Sequence, residues 1–99
     1  MGLSRLPLTE AQLTEALVGL PGWARAGEGI ERTYVLKDFS EAWAFMNRVA
    51  LAAEKLDHHP NWSNVYSRVT IRLWTHDAGG VTEFDTWLAR RIDAFVPAP

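Results

Sequence analysis

Residues 38–60, DFSEAWAFMNRVALAAEKLDHHP, followed by residues 61–74, NWSNVYSRVTIRLW, decide the fold. In the first stretch Ala42, Phe45, Met46, Val49, Ala53 and Leu56 recur at three- and four-residue spacing, one apolar stripe of a helix. Asp38 or Ser40 can cap its start. Pro60 closes it, because a residue before proline is pushed out of the helical region. In the second stretch Val65, Val69, Ile71 and Leu73 alternate with Tyr66, Arg68, Thr70, Arg72 and Trp74. That period of two predicts an antiparallel strand or strand pair with one packed and one wetter face.

Outward from this centre, Thr9 with Gln12 has the spacing of a capping box. It predicts a first helix that turns Leu13, Ala16, Leu17 and Leu20 inward and ends at Pro21-Gly22. Residues 23–26 and 30–36 read as two short strands around Gly27-Glu28-Gly29. Ala78-Gly79-Gly80 predicts a turn, and Thr82 with Asp85 the cap of a third helix whose buried stripe is Phe84, Leu88, Ile92 and Phe95. The order helix, hairpin, helix, strands, helix predicts an α+β fold. Its economical packing is a two-layer sandwich, an antiparallel sheet with three helices on one face. The other sheet face, with Arg68, Arg72 and Trp74, is expected to be solvated or set against a partner.

Ninety-nine residues are one domain's worth, so a single domain over residues 1–99 is expected. Hydrophobic residues at 47% and charged residues at 22% exclude a disordered chain. Ten Lys and Arg against twelve Asp and Glu leave a net charge of −2, too weak a field for nucleic acid or anionic lipid. The absence of cysteine removes disulfides, thiolate metal sites and thiol nucleophiles together. No apolar run approaches the roughly 20 residues of a membrane span. The opening MGLSRLPLTE lacks the pattern of a signal peptide, so a cytoplasmic location is expected.

The three histidines fall at element boundaries: His58 and His59 where the second helix breaks, His76 where the long strand ends. Asp85 lies in the first turn of the third helix. Scaffolds place reactive groups at such ends, so three imidazoles and a carboxylate could meet at one sheet edge. Each has a plainer reading: a helix-end cap for a histidine, a surface pair for Glu54 and His58, a dipole-favoured charge for Asp85. Trp23, Trp43 and Trp87 suit a core or an interface better than a ligand platform. Two chemistries compete for the cluster. Glu54, His58, His76 and Asp85 are suitable zinc ligands, although their spacing matches no standard short metal motif. Alternatively, the imidazoles are metal-free acids and bases, a set suited to an elimination that protonates a leaving hydroxyl and removes a proton elsewhere.

The run EKLDHHPNWSNVY (54–66), THD (75–77) and GVTEFD (80–85) resembles the pterin-4a-carbinolamine dehydratase family, as do Gly22-Trp23 and the helix over residues 39–50. The resemblance covers nearly the whole chain. It implies dehydration of 4a-hydroxytetrahydropterin, the carbinolamine left by aromatic amino-acid hydroxylases, to quinonoid dihydropterin, without metal or cofactor. His58, His59 and His76 match the family's active-site histidines, and Asp85 its supporting carboxylate. Glu54 and Trp23 match positions near the pocket, and Asp57, Thr75 and Asp77 flank the histidines where the family contacts substrate. The implied assembly is a homodimer or homotetramer, expected here on the third helix, where Trp87 adjoins the apolar stripe, or on a sheet edge. The chain departs from the pattern at Trp74, where members often carry a small polar residue; an indole there could line the pocket or meet a subunit contact. The rival from another class is a protein-interaction module, since an animal relative is also a dimerisation cofactor for a transcription factor.

Overall fold

In a computed structural model, described over residues 2–96, the chain forms α1 (Glu10–Val18), β1 (Ala24–Ala26), β2 (Gly29–Val35), α2 (Phe39–Leu56), β3 (Asn61–Val65), β4 (Arg68–Leu73), a 3-10 turn (His76–Ala78) and α3 (Glu83–Asp93). The expected capping box of α1 is made, and the expected cap of α3 is a capping box as well. Thr9 Oγ1 accepts from the Gln12 amide while Gln12 Oε1 accepts from the Thr9 amide, and Thr82 and Asp85 repeat the arrangement on α3. Asp38, rather than Ser40, caps α2 by accepting from the Glu41 amide at 2.8 Å.

The four strands are antiparallel in the order β1-β2-β4-β3. Ile30, Tyr34, Val69, Ile71 and Leu73 point to the helices and are buried with Ala42, Phe45, Val49, Ala53, Leu88, Ala89 and Ile92. This is the α+β sandwich that the periodicity predicts. At about 25 cal/mol per Å² of apolar surface removed from water, these side chains are the main source of stability. The alternating run resolves into the strand-pair alternative. Its turn lies at Tyr66-Ser67, with Tyr66 at φ +51°, and Asn64 Nδ2 donates to the carbonyls of Tyr66 and Arg68. No helix among the described residues is long and apolar enough to cross a membrane.

The α3 stripe differs from expectation. Leu88 and Ile92 are buried, but Phe84 and Phe95 are only half-buried, and Asp85, Thr86 and Ala89 take inward positions. The physical reason is polar satisfaction: a buried carboxylate is tolerated where hydrogen bonds replace its water. Asp85 has three, and Phe84 is displaced sideways. The expected α1 stripe is also thinner, with Leu13 alone fully inward within the helix.

Candidate active site

Three chain segments converge where α2 ends, β4 ends and α3 begins. Asp57 stops α2 in the left-handed conformation, φ 54° and ψ 45°, a geometry Asp reaches more readily than most side chains. The His58 amide then returns to the Ala53 carbonyl at 3.0 Å. Beyond this reversal the chain extends, and successive residues face opposite ways: His58 is buried and His59 exposed. At the end of β4, Thr75 and Gly80 pair through backbone hydrogen bonds. They close a short loop that carries His76 and Asp77 at the surface.

Asp85 joins the segments. Its side chain is fully buried. His58 Nε2 donates to Oδ1 at 2.5 Å, while Thr75 Oγ1 and the Thr82 amide donate to Oδ2, each at 2.8 Å. Thr75 in turn accepts from the Thr82 hydroxyl at 2.7 Å. A carboxylate only accepts, so its partners must all be donors, and these three are. The carboxylate also occupies the first turn of α3, where the helix dipole favours negative charge.

Around this junction stand the exposed groups. His59 Nε2 donates to Glu54 Oε1 at 2.8 Å on an open surface. His76 lies against the Trp74 indole, ring centroids 5.0 Å apart and planes at 44°. Asp57 and Asp77 are exposed beside their histidines. Because His59 follows His58 and His76 follows Thr75, the buried His58–Asp85–Thr75 junction places the chain positions of both exposed imidazoles at one end of the sheet. Among the described residues no three His, Asp or Glu side chains gather as metal ligands.

Trp23 is not brought to this site. It is buried in the core, and its Nε1 donates to Asp93 at 3.0 Å. Asp93 lies eight residues along α3 from Asp85, a helical rise of about 12 Å. Thr75 is present but buried, its hydroxyl engaged with Asp85 and Thr82 rather than open to solvent. Two neighbours were missed by sequence reasoning: Phe84, 5.7 Å from the His58 ring, and Arg5, whose guanidinium lies 4.4 Å over Phe84. The capping-box spacing carried the signal for Phe84: it directs Asp85 inward and so turns its neighbour aside. A groove of about 570 Å³ between α2 and α3, lined by residues including Leu51, Leu56, Trp87 and Phe95, touches none of the site residues.

Comparison with known proteins settles the family. The model of the family described as pterin 4 alpha carbinolamine dehydratase matches residues 6–95. The chain belongs to that family. A Mesorhizobium japonicum protein provisionally named a pterin-4-alpha-carbinolamine dehydratase is 52% identical over 95 residues, covering 94% of this chain and 97% of the relative. A Rhodopseudomonas palustris protein with the same provisional name is 57% identical over 89 residues, 88% of each chain. The crystal structure of a protein described as a transcriptional coactivator/pterin dehydratase from Brucella melitensis superposes with a TM-score of 0.90 at 48% identity, covering 92% of this chain and 99% of that one. The family fold is thus the α+β sandwich described above.

Proposed function

We propose that this chain catalyses the loss of water from 4a-hydroxytetrahydropterin, giving quinonoid dihydropterin by histidine acid–base catalysis without metal or cofactor. The supporting observation is the pair of exposed imidazoles, His59 and His76, whose chain positions are held at one end of the sheet by the buried His58–Asp85–Thr75 junction. The elimination needs one proton delivered to the C4a hydroxyl as the C–O bond breaks and one removed from N5. The N5–H bonding pair becomes the new bond to C4a, and the proton count is unchanged. Two imidazoles at ordinary pH supply a donor and an acceptor, a contribution of about 10²–10⁴-fold.

Asp85 orients His58 as the buried member of the set, and Glu54 orients His59. Asp57 and Asp77 are the exposed polar groups available to the pterin ring. A stopped-flow assay on the 4a-carbinolamine is the test: added protein should accelerate dehydration, and a chelator should leave the rate unchanged. No acceleration overturns the reading, and loss of activity on chelation overturns its metal-free form.

A homo-oligomer in a cytoplasmic setting completes the proposal; a chain without cysteine suits a reducing compartment. The exposed large apolar side chains of the helices are Val18 on α1 and Phe39, Trp43 and Leu51 on α2, whereas Trp87 is half-buried. Such surface favours self-association or a second reading as an interaction module. Light scattering that gives 11.1 kDa at every concentration would count against self-association.

A further inference from the structure

Two of the three histidines are oriented by carboxylates, His58 by Asp85 and His59 by Glu54. The third is not. Among the described residues no hydrogen bond holds the His76 ring, although it sits on a short exposed loop. An imidazole free to rotate about χ1 and χ2 is a poor acid or base, because proton transfer depends on fixed geometry. The contact that restricts it is aromatic: Trp74, 5.0 Å away between ring centroids and at 44°.

Trp74 directly follows β4 and is anchored by its neighbours. The outward face of β4 carries Thr70 and Arg72; Trp74 follows the strand's end, and His76 opens the 3-10 turn two residues on. The Arg72 guanidinium lies 5.0 Å from the centre of the indole, a cation–π contact. The β1–β2 hairpin makes room for both side chains. A Cβ at Gly27 would stand 2.3 Å from Arg72 Nη2, and one at Gly29 would stand 3.2 Å from Trp74 Cβ and 2.5 Å from the Leu73 carbonyl oxygen. Arg72, Trp74 and His76 therefore form a continuous ladder, with Gly27 where a side chain would collide with Arg72 and Gly29 where one would strike the Leu73 carbonyl and crowd Trp74.

We infer that Trp74 is a positioning residue: its indole, held by Arg72, fixes the His76 imidazole in place of the carboxylate that serves each of the other two histidines. This role rests on the proposed dehydration, and two measurements separate its failure from the failure of that reading. The first needs no activity. In the proton NMR spectrum the His76 ring protons should be displaced by the indole ring current. Trp74→Phe should keep part of the displacement, and Trp74→Ala should return them to the positions of an exposed histidine. If the parent already shows exposed positions, or if Trp74→Ala leaves them unmoved, the inference is overturned whatever the assay gives.

The second is a kinetic cycle. Trp74→Ala should lower kcat about tenfold with KM within about twofold, as expected for a misplaced catalytic group. Trp74→Phe should recover most of the loss. In the His76→Ala background, Trp74→Ala should cost less than about twofold, because a residue that acts through another has nothing left to act on. A loss that persists in that background, or that falls mainly on KM, assigns the indole to the substrate and overturns the positioning role. An inactive parent overturns the dehydratase reading instead, and the NMR result then decides whether the ladder exists.

Discussion

At its N-terminal end α3 carries Asp85, whose oxygens accept from His58, Thr75 and the Thr82 amide; near its C-terminal end it carries Asp93, one oxygen of which accepts from Trp23, Arg32 and Tyr34. Both carboxylates have three donors, and both tie α3 to the sheet. They differ in what the donors are. At the Asp93 end they are an indole, a guanidinium and a phenol, none of which changes charge near neutral pH. The Tyr34 hydroxyl is pushed well above its ordinary range, first by burial and then by its bond and charge interaction with Asp93. At the Asp85 end one donor is an imidazole, the side chain type that changes charge nearest neutrality, and the neighbouring chain positions expose two more. A buried, well-partnered carboxylate is therefore not a mark of a site; what distinguishes this one is the donor chemistry and the exposed groups beside it.

The largest effects should separate the two ends by activity. His59→Ala and His76→Ala are each expected to lower kcat by about 10- to 10³-fold with unchanged circular dichroism. The double variant should lose less than the product of the two losses. The comparison breaks if both single variants fold and dehydrate at the parent rate. Next in size, Asp93→Ala strands the buried Trp23 and Tyr34 donors, at about 1–3 kcal/mol for each unsatisfied group. Urea unfolding should show a loss of about 2–4 kcal/mol, while kcat per folded molecule stays at the parent value; a lower kcat would mean that the Asp93 end is not purely structural.

Asp85→Asn should cost less in turnover, about three- to tenfold, because the amide keeps the shape but loses the charge and one acceptor. An unchanged kcat with lowered stability would reduce the Asp85 end to a second structural clasp. The smallest effect concerns pH. Tyr34 has a folded-state pKa raised above its unfolded value of about 10, so its neutral form stabilises the fold below that pH, and the contribution is lost as pH rises beyond it. The parent Tm should fall more steeply above about pH 10 than that of Tyr34→Phe, with a constant difference between them at lower pH. Parallel curves throughout would show that Tyr34 does not titrate differently on folding.

Much of this molecule is legible in its sequence because the relevant signals are local. The α2 stripe, the Thr9 and Thr82 caps and the outward alternation of β4 all follow from spacing within a few residues. What escapes is set by partners far along the chain. Trp23 reads by its residue type as core or interface, while the family resemblance sets it near the pocket; Asp93, 70 positions away, claims its indole. Phe84 reads as core because its spacing with Leu88, Ile92 and Phe95 fits one helix stripe, whereas the capping bond turns Asp85 inward in its place. The β3–β4 turn hides inside an alternating run since Tyr66 is not a usual left-handed residue; Asn64, bonding across the turn to two carbonyls, is the only local sign. The histidine positions were visible as boundaries, but their division into one buried and two exposed rings depends on the reversal at Asp57.

The Thr82 amide gives the Asp85 junction a consequence measurable in time. A backbone N–H donated to a buried side-chain oxygen exchanges with deuterium only when that bond opens, and here it shares Asp85 Oδ2 with the Thr75 hydroxyl. The same carboxylate grips His58 through its other oxygen. Fraying of the first α3 turn that carries the Asp85 carboxylate away therefore releases the histidine as well. The exchange rate of a single amide thus serves as a clock for how often the buried end of the site comes apart, with no ligand or turnover needed to read it.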